Sequence, residues 1–565
     1  MEDSGSDSDP EFSQFLQECI EARNNDFCED NQSDISVSSV HSSDLSDLSE
    51  GDSDDDYDLP VGRQDQEWTR NVCNQHREPF TSFVGPTMPL PLDAEPIEYF
   101  LQLFPAHLFD QIAMETTRYA AQKGNDNFHT TADEIKAYLG LLFLMGVVKL
   151  PNYRCYWSTR EELHQTSISK VMPRKRYEEL TSYFHLNDSQ SNPARGQPGH
   201  DKLHKVRPII DNAKEQFFSH YSPSRNLSVD EAMVKFKGRC PFLQYIPAKP
   251  CKWGIKSWAV TDAETFYLLD LNIYTGKHDD TTSQLPVSTR VVLELVEAYY
   301  NKHHHVYFDN YFTSMPLLET LLVNGTYACG TVRLNRKGIP KELQAAKFKQ
   351  SGEHLKLQKG DIMAVSWCEK KRKVSVLSSA NDVGDIQLDR PGKRRQPRQS
   401  YPKPIAIQDY SNNYNGVDKS DQLRSYYGIA NKAKKWWKYI FWFICDVTMV
   451  NSFILYTHAP GGPRRNPMSH LEFHLDVAKG LIGQFTSRKR QLILARSPPT
   501  IKRPADHEPS KVKTKRGKRN CVYCSRLGIT TSSGNHIQTS WECTTCAVAL
   551  CKDKGCFARF HNYVN

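Results

Sequence analysis

Apolar positions are nearly absent from the first stretch of this chain and then recur with two different periods. Residues 1–78, with SDISVSSVHSSDLSDLSEGDSDDD at their centre, offer too little apolar surface to offset the entropy of ordering and are expected to be disordered. From Pro96 onward apolar residues return at helical spacing. TTADEIKAYLGLLFLMGVV places a capping pair, Thr131 with Glu134, ahead of an apolar helix. MPRKRYEELTSYFHL and HKVRPIIDNAKEQFFSHY predict two more helices, so residues 79–225 read as mainly helical. The period then shortens to two. NLSVDEAMVKF, IKSWAVTDA and FYLLDLNIY read as three successive strands with a turn at Asp262 to Glu264. A helix over about 285–300, a strand HHVYFDN, a helix MPLLETLLVNG and a strand TYACGTVR follow. Residues 334–404 interrupt this order with short strands and the basic segment GKRRQPRQSYPKP, and a helix resumes at Gly416.

Three strands in meander, then helix, strand, helix, strand, is the order of a ribonuclease-H-like fold. In that arrangement the first and fourth strands are neighbours, so Asp230 in SVDEAMVKF and Asp309 in VYFDNYFTS can converge although far apart in sequence. GVDKSDQLRSYYG supplies Asp418 and Asp421, whose i, i+3 spacing puts both on one helical face. Alone, each aspartate has an ordinary reading as a cap or turn residue. Together and in fold order they predict a site for two magnesium ions, replaceable by manganese, of the kind that supports phosphodiester cleavage.

Charge sharpens this expectation. The net charge is +6, yet residues 1–58 carry 19 acidic residues against Arg23 alone, leaving a strongly basic body suited to a polyanion such as nucleic acid. Lys237, Arg239, Lys249, Lys252 and Lys256 surround the first aspartate, and Arg333, Arg336 and Lys337 follow the fifth strand as candidate phosphate contacts. The apolar stretch from Trp436 to Tyr456 has nearly the length of a membrane span. Its Lys438, Asp446 and Asn451 are costly in hydrocarbon and predict a buried helix instead, with no membrane partner. The acidic N-terminus shows no secretory signal. The three histidines 303–305 alternate across a strand and cannot readily share one cation.

Six of the 15 cysteines lie between Cys521 and Cys556. Cys521, Cys524, Cys543, Cys546, Cys551, Cys556 and His561, with His536 as an eighth candidate, are expected to hold two tetrahedral zinc ions and to fold the tail through them. Upstream, residues 488–520 hold 12 Lys or Arg against Asp506 and Glu508 and read as a basic linker with a nuclear localisation signal.

The blocks SVDEAMVKFKGRCPFLQYIPAKPCKWGIK, YFDNYFTS, GTVRLNRKGIP and NGVDKSDQ, ending in a cysteine-rich tail, resemble the piggyBac family of DNA transposases. The resemblance implies an α+β multidomain architecture. It comprises a catalytic core of the three-aspartate type over 226–333 and 405–427, a β-rich insertion over 334–404, and a helical DNA-binding and dimerisation domain split between 79–225 and 428–487. A zinc-binding domain over 521–565 completes it. It further implies catalytic roles for Asp230, Asp309, Asp418 and Asp421, a homodimer acting on double-stranded transposon ends through hairpin intermediates, and joining at TTAA in the nucleus. A domesticated, non-cutting DNA-binding protein is the alternative expectation.

Overall fold

The computed structural model describes residues 67–246, 252–276, 285–370, 372–390, 399–458, 464–487, 507–513 and 517–562. The chain divides into two compact units, residues 1–487 and 488–565.

The larger unit is built on a nine-stranded sheet. Its strands are β1 (Asn226–Lys235), β2 (Leu243–Tyr245), β3 (Trp253–Asp262), β4 (Leu268–Ile273), β5 (His305–Phe308), β6 (Tyr327–Thr331), β7 (His354–Lys359), β8 (Ile362–Glu369) and β9 (Arg372–Ser378). The order is β2-β3-β1-β5-β6-β9-β8-β7, with β4 also pairing β3. β1 runs antiparallel to β3 and parallel to β5, and β5 runs parallel to β6. The meander and its parallel continuation therefore match the order expected from the sequence. The segment read as a β-rich insertion is joined to this sheet. Its strands β7 to β9 extend the same sheet, because β9 pairs antiparallel with β6, and only the hairpin Asp385–Arg390 with Gln399–Pro404 forms a sheet of its own.

The edge strand β7 explains a difference. Residues 67–78 were expected to be disordered, yet Thr69 exchanges two backbone hydrogen bonds with Gln358, at 2.9 and 2.8 Å. Trp68 donates to the Gly338 carbonyl at 3.0 Å, and Arg77 pairs with Asp382. An open edge offers unpaired donors and acceptors, and this polar strap satisfies some of them without needing an apolar rhythm of its own. Residues 1–66 lie outside the described residues.

Alternation along the central strands gives each face of the sheet its own core. Leu227, Val229, Val306, Phe308 and Ala328 join the large cluster shared with the helices, whereas Tyr307 and Cys329 belong to a second cluster with Ala406, Ile407 and Tyr410. The helices bounding the large cluster are α1 (Pro96–Leu103), α2 (Ala106–Gln122), α3 (Ala132–Val147), α4 (Arg174–Tyr183), α5 (Arg207–His220), α6 (Val287–Val296) and α7 (Met315–Val323). α8 (Ile405–Asn413) covers the other face, while α9 (Gly416–Tyr427), α10 (Trp436–Thr457) and α11 (His470–Ile482) also feed the large cluster, through Val417, Phe441 and Phe473 among others. Thr131 caps α3 by accepting from the Glu134 amide at 3.3 Å. The Glu134 carboxylate does not return to close a capping box. It takes two bonds from Arg176, at 2.8 and 2.6 Å, and ties α3 to α4.

α10 is the membrane-length helix, and 89% of its apolar window is buried inside the protein. Each polar residue within it has a partner, as a buried group requires. Asn451 accepts from the Leu268 amide at 2.9 Å and donates to the Leu268 carbonyl at 2.8 Å. Asp446 accepts from the Ile429 amide, and Lys438 donates to the Thr181 carbonyl. Trp437 stacks against Phe184 and Trp436 meets Phe242 edge-on, so the two tryptophans are packing residues joining α10 to distant parts of the chain. α11 packs on α3 where Gly140 leaves room, since a Cβ there would come within 2.7 Å of the Ala478 carbonyl oxygen.

Candidate active site and metal centres

The register of the central strands decides where the acids stand. Val229 lies opposite Phe308, and Phe308 lies opposite Gly330. One residue further along, Asp230 and Thr331 on their strands come level with Asp309, which directly follows the end of β5. Period two puts them on the face that also bears Ser228, Tyr307 and Cys329. Both aspartates are partly exposed. Asp309 closes the turn after its strand: its carboxylate accepts from the Tyr311 amide at 2.9 Å and its carbonyl from the Thr313 hydroxyl at 2.8 Å.

The acids of α9 reach this row through one close contact. The Ser228 hydroxyl donates to the Tyr414 carbonyl at 2.7 Å and accepts from the Gly416 amide at 3.2 Å, pinning the start of α9 two residues from Asp230. A Cβ at Gly416 would lie 2.4 Å from the Thr261 hydroxyl oxygen and 2.8 Å from the Ser228 Cβ, so glycine is what allows the helix backbone to approach the sheet. Asp418, in the first turn of α9, is exposed. Asp421 is half-buried and receives two bonds from Arg424, at 3.1 and 3.3 Å. The two helix acids are thus unequal: an arginine already balances Asp421.

The four acids are not drawn into a tight cluster. Among the described residues, groups of three or more ligand atoms within 4.8 Å of one another occur in two places, both in the smaller unit. An all-carboxylate set is nevertheless suited to a hard divalent cation such as magnesium, which takes oxygen ligands. Mutual repulsion keeps such groups apart until a cation compensates it. Tyr410 stands beside this site, its hydroxyl 3.3 Å from that of Thr331. Burial, and then the charges of Asp309 and Asp230, push its phenol well above the usual range and keep it neutral.

Among the basic residues expected near the acids, Lys256 and Arg336 are partly buried and tied into the protein. Lys256 pairs with Glu231 and lies over the rings of Trp258 and Tyr311. Arg336 donates to the carbonyls of Thr313 and Tyr311, at 2.8 and 2.7 Å, and so braces the turn that begins at Asp309. Arg333, which bonds Asn310 at 3.2 Å, is exposed, as are Lys237, Arg239, Lys252 and Lys337. Lys249 lies outside the described residues.

In the smaller unit six cysteines and two histidines sort into two sets of four. Cys521, Cys524, Cys551 and Cys556 form one set, and His507, Cys543, Cys546 and His561 the other. The pairs are interleaved along the chain, as in a cross-brace. His536, expected as the eighth ligand, is exposed on a bridge to Thr530 and belongs to neither set. His507 takes its place although it lies in the segment read as linker. The reason is a strand: Pro509–Lys511 pairs antiparallel with Trp541–Cys543, placing Pro509 opposite Cys543. This brings the His507 Nδ1 to 3.4 Å from the Cys543 sulfur and 3.3 Å from that of Cys546. The only signal in the sequence was a histidine two residues before a short extended run.

Cys524 and Cys556 sulfurs lie 3.5 Å apart, and the Cys546 sulfur lies 3.6 Å from the His561 Nε2. Tetrahedral zinc with sulfur at about 2.3 Å separates its ligands by roughly 3.6 to 3.8 Å, so the spacing fits. The His561 Nδ1 donates to the Phe557 carbonyl at 2.7 Å, which turns Nε2 toward the cysteines. Burial, and then neighbouring thiols, push Cys546 and Cys551 up to about 11. Such thiols ionise near neutral pH only when a cation draws off the proton.

The sequence matches the transposase IS4 family over residues 95–453, more than half of the chain. The human PiggyBac transposable element-derived protein 3 is 29% identical over 393 residues, covering 68% of this chain and 63% of that protein. The human PiggyBac transposable element-derived protein 2 is 26% identical over 373 residues, covering 64% of this chain and 62% of its own length. The chain therefore spans less than two thirds of either relative. A piggyBac transposase synaptic complex with hairpin DNA, solved by cryo-EM, superposes with a TM-score of 0.64 at 25% identity, covering 84% of this chain and 98% of that one. The chain belongs to the piggyBac-type transposases of this family.

Proposed function

We propose that this protein is a cut-and-paste DNA transposase that nicks transposon ends, forms and opens hairpins on them, and joins them at TTAA. The observation that carries the reading is that Asp230 on β1 is level with Asp309, which directly follows the parallel β5, with Gly416 seated on Ser228 so that Asp418 is delivered to the same face. Asp230, Asp309 and Asp418 are the residues that would hold two magnesium ions, with Asp421 at the rim. When bound, such ions supply an activated oxygen nucleophile and stabilise the leaving oxygen in phosphodiester cleavage. The neutral Tyr410, the Asp309 turn and the Arg336 brace fix the positions of the carboxylates and of the loop beside them. Exposed Lys237, Arg239, Lys252, Arg333 and Lys337, and Lys249 outside the described residues, are the phosphate contacts of this reading. The two sets of four in the smaller unit hold one zinc ion each and contribute to recognition of the ends. The protein works in the nucleus as a homodimer, since two ends must be joined.

A second reading is a domesticated DNA-binding protein that no longer cuts. The human relatives favour it, for they are named as transposable element-derived proteins. An excision assay on a reporter flanked by the terminal repeats neighbouring the gene, paired with a gel shift on the same ends, separates the two. Excision that requires Asp230 supports the transposase, and binding without excision supports the domesticated protein.

A further inference from the structure

Tyr414 occupies the junction between α8 and α9 and is 38% exposed, an uncommon setting for an aromatic ring fixed from several sides. Its carbonyl accepts the Ser228 hydroxyl at 2.7 Å, and its amide donates to the Tyr410 carbonyl at 3.0 Å. Its ring lies almost parallel to that of Tyr410, with centroids 4.9 Å apart and planes 13° apart. Tyr410 is itself held by Thr331, the residue level with Asp309 in the strand register. One face of the Tyr414 ring is therefore covered, and the exposed side chain is anchored to the strands that bear the carboxylates. Asp418 follows four residues later and is exposed as well.

A preorganised aromatic face loses little entropy when a second ring stacks on it, and every nucleobase presents such a ring. Packing within the protein does not require the exposed area, since the Tyr410–Tyr414 pair is complete without it. From these contacts we infer that Tyr414 is a base-stacking residue: it takes an unpaired nucleobase of the DNA strand next to the phosphate that is cut at the acid site. The inference rests on the DNA-cleaving reading above and adds the requirement that bases next to the cut leave the duplex stack.

The test is photocrosslinking of the full-length protein in calcium buffer. The probe is a forked duplex with a TTAA-containing single-stranded arm, substituted with 5-iodouracil at successive arm positions, and a blunt duplex of the same sequence serves as control. Irradiation is expected to join the uracil nearest the fork to the peptide containing Tyr414. Tyr414→Leu, which keeps bulk without a π face, is expected to lose the crosslink and to bind the fork roughly tenfold more weakly while binding the blunt duplex unchanged. Tyr414→Phe and Tyr414→Trp should bind the fork as the wild type does, a pattern that a purely structural tyrosine would not produce. Crosslinks confined to other peptides, or equal fork affinity in Tyr414→Leu, overturn the stacking role while leaving the transposase reading intact. Failure of the wild type to bind either DNA overturns both.

Discussion

The acid site and the cysteine-rich unit both gather ligands from distant positions, yet they are assembled in opposite ways. In the smaller unit eight ligand atoms converge in two tight groups. Neutral thiols and imidazoles do not repel one another, and short strands fix their spacing. In the larger unit the sheet register places Asp230 beside Asp309, and a single glycine contact delivers α9, but among the described residues no three of the carboxylates come within 4.8 Å of one another. The lesson is that soft ligands can be preassembled, whereas like charges are only brought within reach and need a cation to close.

The largest effect expected is at the acids. Asp230→Ala, Asp309→Ala or Asp418→Ala should each abolish end cleavage while gel-shift affinity persists, because groups sharing metal ions act as a unit. Substantial excision by any one of them would remove that residue from the site.

Loss of a cysteine-site ligand should come next. His507→Ala and Cys543→Ser are each expected to reduce the bound zinc from two ions to one, read by native mass spectrometry, whereas His536→Ala should leave two. Zinc loss in His536→Ala with full zinc in His507→Ala would reverse the ligand assignment.

The two helix acids should separate further. Asp421 is balanced by Arg424, so Asp421→Asn should retain residual nicking that manganese partly restores, while Asp418→Asn is inactive with either metal. Equal, metal-independent loss in both would place both acids directly on the ions.

The smallest effect concerns Asp446, buried in α10 where it meets the Ile429 amide just beyond α9. Burial, opposed by Arg424 and the Ile429 amide, raises Asp446 from 3.8 to about 7. A carboxyl whose folded pKa is raised prefers its proton in the folded state. Its contribution to stability is therefore complete below the unfolded pKa and is lost as pH rises through about 7. Asp446→Asn, which can still accept from Ile429, should flatten the fall in melting temperature between pH 5 and about 7. An unchanged slope would show that Asp446 does not titrate in that range.

What the sequence determined by itself was set by local physics. The two periods of apolar residues announce helices and then a meander, and the strand around Asp230 and the helix opening at Gly416 are where those periods place them. The two Cys-x-x-Cys pairs, with further cysteines and a histidine close behind, announce metal binding, because they supply soft ligands in the number that tetrahedral sites take. Tertiary structure alone decided which groups share a site. His507 could not be told from any linker histidine until Pro509 paired with Cys543, and the strap over 67–78 reads as polar coil until it meets the edge of β7. That β7 to β9 extend the main sheet was likewise hidden, because sequence order says nothing of which edge a later strand will join. The inequality of Asp418 and Asp421 comes from a local i, i+3 pair with Arg424, whereas the seating of Tyr414 and Gly416 on Ser228, which brings α9 beside Asp230, arises from contacts between segments nearly 190 residues apart. Such pairings depend on register and close approach, which leave no periodic trace in the chain.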